Sequence, residues 1–218
     1  MTKAGLTEIS VVLDRSGSME ARKADTIGGF NAFLESQQAL PGECSISLYQ
    51  FDHHYEAVYE GIPVAKAPKL TDTTFVPRGN TALLDAVGRT INSVGARLAA
   101  LPEEERPEKV LVVIQTDGQE NASHEFTNQQ IKDMISHQRD HYQWQFIFLG
   151  ADENAFFVAA SMGIARGQGL WYSADNILGA TQAINSFASN YRASSRSGAQ
   201  ALAFSDEERK MASDSPGN

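Results

Sequence analysis

The chain has 218 residues, 42% of them apolar, and a formal net charge of −9. That length suits one sizeable domain and a tail, and the acidic balance excludes a nucleic-acid surface, where lysine and arginine must meet phosphates. A single cysteine, Cys44, excludes an intrachain disulfide, and no run is long and apolar enough to span a membrane.

Taken in order, the start MTKAGLTEIS lacks an apolar core of signal-peptide length, so a cytoplasmic protein is expected. Residues 8–14 read as a buried strand, an apolar run that stops abruptly at Asp14. Ser16, Gly17 and Ser18 follow. A strand that delivers one acid and two hydroxyls to its carboxyl end suits a hard cation, magnesium, calcium or manganese, better than zinc. A helix N-cap uses the same residue types, and on this stretch alone both readings stay open. Gly17 is expected to make the tight turn.

A helix is expected over 19–39, with Ile27, Phe30 and Leu34 on one face and Gly28-Gly29 allowing close approach to the sheet. Residues 44–51 alternate as a strand and carry Cys44 as a buried thiol. Residues 55–64 pair with them as an antiparallel hairpin across Asp52-His53-His54, whose histidines read as solvated. A long loop, 65–80, precedes the clearest helix, marked by Leu84, Val87, Ile91, Val94 and Leu98 at alternating spacings of three and four. Leu101-Pro102 stops it and 103–108 is a charged linker.

A second buried strand, 110–115, ends at Thr116-Asp117-Gly118. A polar loop follows, then a helix over 128–139 with Ile131, Met134 and Ile135 inward, then a strand over 144–149. Asp152 is expected to cap a short helix closed by Gly163. A short strand over 169–173 leads to a last long helix capped by Asp175, with Leu178, Thr181, Ile184, Ala188 and Tyr191 on one face. From 194 to 218 the composition turns polar, and a flexible tail is expected, with a capping-box pattern at Ser205 to Glu208.

Strands alternating with helices imply an α/β domain with a doubly wound, mostly parallel sheet covered on both faces. Ligands bind such sheets beyond the carboxyl ends of strands, where strand order reverses. Asp14 and Asp117 end the two strands that flank the expected reversal.

Three motifs, DRSGS at Asp14–Ser18, GNTALLDAVG opening at Gly79 and TDG at Thr116, together resemble the metal-ion-dependent adhesion site of a von Willebrand factor type A domain. The resemblance covers roughly residues 6–192, placing the domain at 1–193 and the tail at 194–218. It implies a Rossmann-like fold with one antiparallel edge strand, for which 55–64 is the match. It implies a divalent ion, Mg²⁺ with Mn²⁺ or Ca²⁺ as alternatives, held by Asp14, Ser16, Ser18, Thr81 and Asp117. Ser16 and Ser18 would ligate directly, Asp14 and Asp117 largely through water, and Thr81 directly once a partner engages. The implied function is protein binding without catalysis, an acidic partner residue becoming the last metal ligand. Intracellular relatives work beside chaperone-like ATPases, in metal resistance, or in phage and bacterial assemblies.

Arg15 and Arg78 are read either as steering an acidic partner or as ordinary surface arginines. Asp85 is read either as support for the site or as plain surface, and Asn121, Ser123 and His124 as its rim. Two other readings stand beside the binding module. One is a magnesium-dependent hydrolase using Asp14 or Ser16. The other is an assembly component with a fold-stabilising ion. No nucleophile elbow, Walker lysine motif or His-Glu-x-x-His pattern is present in the sequence.

Overall fold

A computed structural model describes residues 2–213 except 118, 152, 153, 174, 175, 196, 197, 200 and 201. Its strands are β1 Lys3–Asp14, β2 Cys44–Phe51, β3 Tyr55–Pro63, β4 Pro107–Thr116, β5 Gln145–Gly150 and β6 Gly169–Trp171. They form one sheet in the order β3-β2-β1-β4-β5-β6. Among the described strands only the β2–β3 pair is antiparallel. The strand order reverses between β1 and β4, as the alternation predicts. Leu13 stands opposite Gln115 in that register, so Asp14 and Thr116 leave the sheet side by side.

The helices are α1 Lys23–Ala39, α2 Leu83–Ala100, α3 Asn128–Tyr142, α4 Ala155–Ser161, α5 Ile177–Ala193 and α6 Asp206–Ser213. One strand feeds two cores because successive side chains point to opposite faces. Ile9, Val11 and Leu13 pack with Phe30 and Leu34 of α1 and with Ile184 and Phe187 of α5. Val12, Val112 and Ile114 pack with Val87, Ile91 and Val94 of α2 and with Ile131 of α3. Each such side chain, fully buried, stabilises the fold by roughly 1.5–3 kcal/mol. Cys44 is a buried free thiol, and burial pushes its pKa up to about 11.

Several details depart from expectation. The first helix starts late, because Gly17–Arg22 winds as a 3-10 turn before Lys23. Met19 N–H bonds Ser16 O (3.0 Å), and the Met19 side chain is fully buried, which pins the tighter winding. Gly17 is required for closeness rather than for a positive φ: a Cβ there would lie 3.3 Å from the Gly79 carbonyl. Gly29 likewise allows close approach, but to α5: a Cβ would meet Thr181 Oγ1 at 2.8 Å.

On α5 the inward stripe begins one residue early. Ile177 is buried and Leu178 is 68% exposed, because the stripe Ile177, Ala180, Thr181, Ile184 leaves Leu178 off it. Asn176 caps this helix, its Oδ1 accepting from Gly179 N–H at 2.9 Å. The expected caps Asp152 and Asp175 lie outside the described residues. On α3, Ile131 and Ile135 are buried while Met134 is partly buried.

The segment after Ala193, expected to be a flexible tail, is packed where it is described. Phe204 is 4% exposed, and its ring lies 4.9 Å from that of Phe187. The capping box forms as read: Ser205 N–H bonds Glu208 Oε2 (2.8 Å) and Glu208 N–H bonds Ser205 Oγ (3.1 Å). Arg209 Nη1 donates to Gly169 O at 2.7 Å and Ser173 N–H to Ala212 O at 3.3 Å, so α6 lies along the outer edge of β6. Covering an edge strand removes a template for unwanted pairing. Among its described residues the polar average of the segment conceals four apolar contributors to the core, Ala199, Leu202, Phe204 and Ala212.

Candidate metal centre

The carboxyl ends of β1 and β4 bring Asp14, Ser16, Ser18 and Asp117 into one hydrogen-bonded chain. Asp14 Oδ1 accepts Ser16 N–H at 2.6 Å, and Asp14 Oδ2 accepts the Thr116 hydroxyl at 2.5 Å. Ser16 Oγ and Ser18 Oγ are 3.0 Å apart, and Ser18 Oγ donates to Asp117 Oδ1 at 2.7 Å. The remaining oxygen of Asp117, Oδ2, is ion-paired with Arg22 Nη1. Asp14 is fully buried, and burial raises its pKa to about 6, against the lowering pull of the Thr116 and Ser16 hydrogen bonds. The charge of Asp117 pushes the same way as burial.

Thr81 is brought to this cluster by backbone bonds on both sides. Gly17 N–H donates to Gly79 O (3.0 Å), which sets the loop before α2 against the Asp14–Ser18 turn. Thr81 N–H donates to Asn121 Oδ1 (2.9 Å) and Thr81 O accepts Asn121 N–H (3.0 Å), which sets the same loop against the one after β4. Thr81 itself is 3% exposed. All candidate ligands therefore stand at one rim. Two carboxylates and three hydroxyls, with no thiol or imidazole among them, are a donor set that fits a hard divalent cation.

Sequence reasoning missed Glu120, which helps to hold this rim. Glu120 Oε2 accepts Leu84 N–H (2.9 Å), satisfying one of the free amides that begin α2. Its other oxygen accepts Ala122 N–H (3.0 Å) and Ser123 N–H (2.7 Å). Of the two readings of Asp85, plain surface fails and support for the site stands: it is buried, and its carboxylate accepts the amides of His124, Glu125 and Phe126 at 2.9–3.0 Å. Asn121 and His124 are exposed, as a rim requires. Thr116 had a readable signal, since it immediately precedes Asp117 on a strand beside β1. Arg22 had a fainter one, a cation four residues beyond Ser18.

Arg15 turns inward rather than lying on the surface. It is 6% exposed and braces the hairpin, with Nε 3.1 Å from Asp52 Oδ2 and Nη1 2.6 Å from Glu56 Oε2. Arg78 Nε reaches the same Asp52 oxygen at 2.9 Å, and its side chain is 55% exposed. Asp52, His53 and His54 bring their ligand atoms within 4.8 Å of one another. Both oxygens of Asp52 are occupied, Oδ2 by the two arginines and Oδ1 by His54 N–H at 2.6 Å. Two guanidinium groups so close would repel a metal ion. The exposed histidines and Arg78 thus border the hairpin turn, where Asp52 and Glu56 balance the charges of Arg15 and Arg78.

No family model matches the chain, and no curated protein matches it by sequence. Solved structures match it by fold. Proximal thread matrix protein 1 from the mussel byssus aligns at a TM-score of 0.60 and 16% identity over 85% of this chain and 47% of that chain. The fold is that of a von Willebrand factor type A domain. A second structure of the mussel protein, with a zinc-occupied MIDAS motif, aligns at 0.57 and 16% over 85% and 46%. The von Willebrand factor type A protein from Catenulispora acidiphila aligns at 0.56 and 11% over 84% and 42%. Manganese-loaded TRAP of Plasmodium vivax aligns at 0.51 and 12% over 78% and 69%. The chain spans just under half the length of the mussel protein. What the type A fold settles here is architecture: the oxygen cluster occupies the strand-order reversal of its sheet.

Proposed function

We propose that this chain is a divalent-cation-dependent protein-binding module whose partner presents an aspartate or glutamate. The observation that carries the reading is the continuous chain from Asp14 through Ser16 and Ser18 to Asp117 at the sheet's reversal point. In this reading Ser16, Ser18, Thr81, Asp14 and Asp117 hold the ion, with Mg²⁺ as the physiological species and Mn²⁺ or Ca²⁺ as substitutes. Two carboxylates leave a divalent ion incompletely neutralised once Arg22 is counted, so the bound ion supplies an electrophilic centre for a partner carboxylate. The zinc and manganese in structures of similar fold support a divalent ion.

The protein's own groups assist. In a chain of net charge −9, the half-exposed guanidinium of Arg78, close in the chain to Thr81, is the group placed to steer an acidic partner towards the cluster. A chaperone-like ATPase or an assembly component, acting in the cytoplasm, is the class of partner the family resemblance suggests. A hydrolase reading has less support, since the sequence carries no nucleophile elbow, Walker lysine motif or His-Glu-x-x-His pattern.

Calorimetric titration with Mg²⁺ and Mn²⁺ tests the reading on the wild type, Asp14→Ala and Asp117→Ala. Ion binding is expected in the wild type and lost in both variants. Unchanged binding in both variants would sink the assignment. A pull-down from the native source, with and without chelator, then separates partner binding from a merely fold-stabilising ion.

A further inference from the structure

Resting on the metal-site reading above, one residue of the cluster has no place in the ligand set: Arg22. It ends the 3-10 turn Gly17–Arg22 that also carries Ser18. The turn aims its guanidinium at Asp117 Oδ2, while Ser18 takes Asp117 Oδ1. The Asp117 side chain has no solvent exposure and that of Arg22 has 24%. Arg22 Nε is buried and has no hydrogen-bond partner among the described residues. The guanidinium is therefore held by a single strong contact, with part of its bonding capacity unused. A purely structural arginine in such surroundings would be expected to use its fork on both sides.

We propose that Arg22 is a built-in counter-cation that competes with the divalent ion for Asp117. Asp14 and Asp117 together carry two negative charges, and Arg22 offsets one of them. A buried carboxylate without a partner is costly, so the protein needs a positive charge at Asp117 whether or not an ion is bound. Arg22 supplies that charge from within the chain. When a divalent ion binds, it meets the repulsion of the guanidinium and takes over the neutralisation of Asp117. The site is thereby set to a weaker affinity than its five oxygen donors alone would give, and ion exchange is made easier. Lys23, next in the chain and also 24% exposed, faces Asp72 at 3.9 Å instead and has no such role.

The test titrates Mn²⁺ by calorimetry into wild type, Arg22→Gln, Lys23→Gln and Asp117→Ala, and records melting with chelator and with saturating Mn²⁺. Arg22→Gln is expected to bind Mn²⁺ about tenfold or more tightly than wild type, because a nearby like charge has been removed. Lys23→Gln, the same change of charge one residue away, should stay within about threefold. In chelator, Arg22→Gln should melt below wild type, and saturating Mn²⁺ should close that gap. If wild type binds Mn²⁺ and Arg22→Gln binds it equally or less well, Arg22 is a structural ion pair and the inference is overturned. Equal tightening by Lys23→Gln would overturn it too, by showing a general charge effect. If folded wild type and Arg22→Gln both fail to bind, or Asp117→Ala binds like wild type, the metal-site reading itself falls.

Discussion

Thr116 donates its hydroxyl to Asp14 Oδ2 across the β1–β4 pair at 2.5 Å, while Asp14 Oδ1 is held by Ser16 N–H. Both oxygens of the buried carboxylate are thus oriented by neighbours on different segments. Thr116→Val keeps the shape and removes the hydroxyl. Loss of such an orienting partner typically weakens metal binding by about 10–100-fold, and that range is expected here. The fold should lose only about 1 kcal/mol. Titration and a denaturant melt on the same sample check both numbers; an unchanged affinity would mean that Ser16 alone orients Asp14.

The Asp52 cluster makes stability depend on pH. Burial pushes the Asp52 pKa up, but the Arg78 hydrogen bond, the His54 amide and the Arg15 charge outweigh it, and the net direction is down. A carboxyl lowered in the folded state contributes stability that is fully present above its unfolded value, near 3.8. That stability is lost as pH falls through the lower folded value. Asp52→Asn leaves Arg15 buried and short of a partner, at a cost of about 3 kcal/mol at neutral pH. The difference between wild type and variant should stay level down to about pH 4 and shrink below it. Denaturant midpoints from pH 7 to pH 2.5 would show this; a gap independent of pH would mean that the charge contributes nothing.

The packed C-terminal segment reverses what its composition suggests about truncation. The Phe204 ring packs against that of Phe187 at a tilt of 41°, and Arg209 and Ala212 bond the β6 edge and the backbone beyond it. Ending the chain at Ala193 should lower the melting temperature by several degrees and bare the edge of β6. Phe204→Ala alone should cost about 3 kcal/mol, the usual scale for removing a buried ring. Light scattering on the truncated protein adds a second reading, since an uncovered edge promotes association.

The parts legible in the sequence were those governed by local pattern. β1 and β4 announced themselves because strands buried on both faces read as continuous apolar runs. The helix α2 did so through its unbroken spacing. The convergence of the candidate residues Asp14, Ser16, Ser18, Thr81 and Asp117 was legible because each sits within a turn of an element's end, and topology then gathers such ends. The supports were not legible, because they depend on contacts between segments distant in sequence. Glu120 looks like any loop acid until Leu84 is placed opposite it. Asp85 reads equally as support or as plain surface of α2 until the 123–126 loop folds over it. Arg15 looks exposed beside Asp14, yet the return of the β2–β3 hairpin buries it. Composition failed for 202–213 because a few well-placed apolar side chains suffice to dock a segment that is polar on average.

Glu120 gives the last prediction, because it ties the loop after β4 to the start of α2, two residues beyond Thr81. Its Oε2 accepts Leu84 N–H at 2.9 Å and the Ser123 hydroxyl at 2.7 Å. A carboxylate at a helix N-terminus satisfies a free amide and meets the positive end of the helix dipole. Glu120→Ala should therefore destabilise the fold by about 1 kcal/mol, the scale of a lost cap. The larger effect should be local. Hydrogen exchange at residues 82–86 should accelerate, while the amides of β1 keep their protection. Ion affinity should fall only a few-fold, since the hydrogen bonds of Glu120 among the described residues go to Leu84, Ala122 and Ser123 rather than to the five candidate ligands. Exchange measured by mass spectrometry, with titration of the same variant, separates these effects. Uniform acceleration through β1 would show that Glu120 supports the whole domain. Unchanged exchange at residues 82–86 would show that the α2 start is held by Asn121 and Asp85 without it.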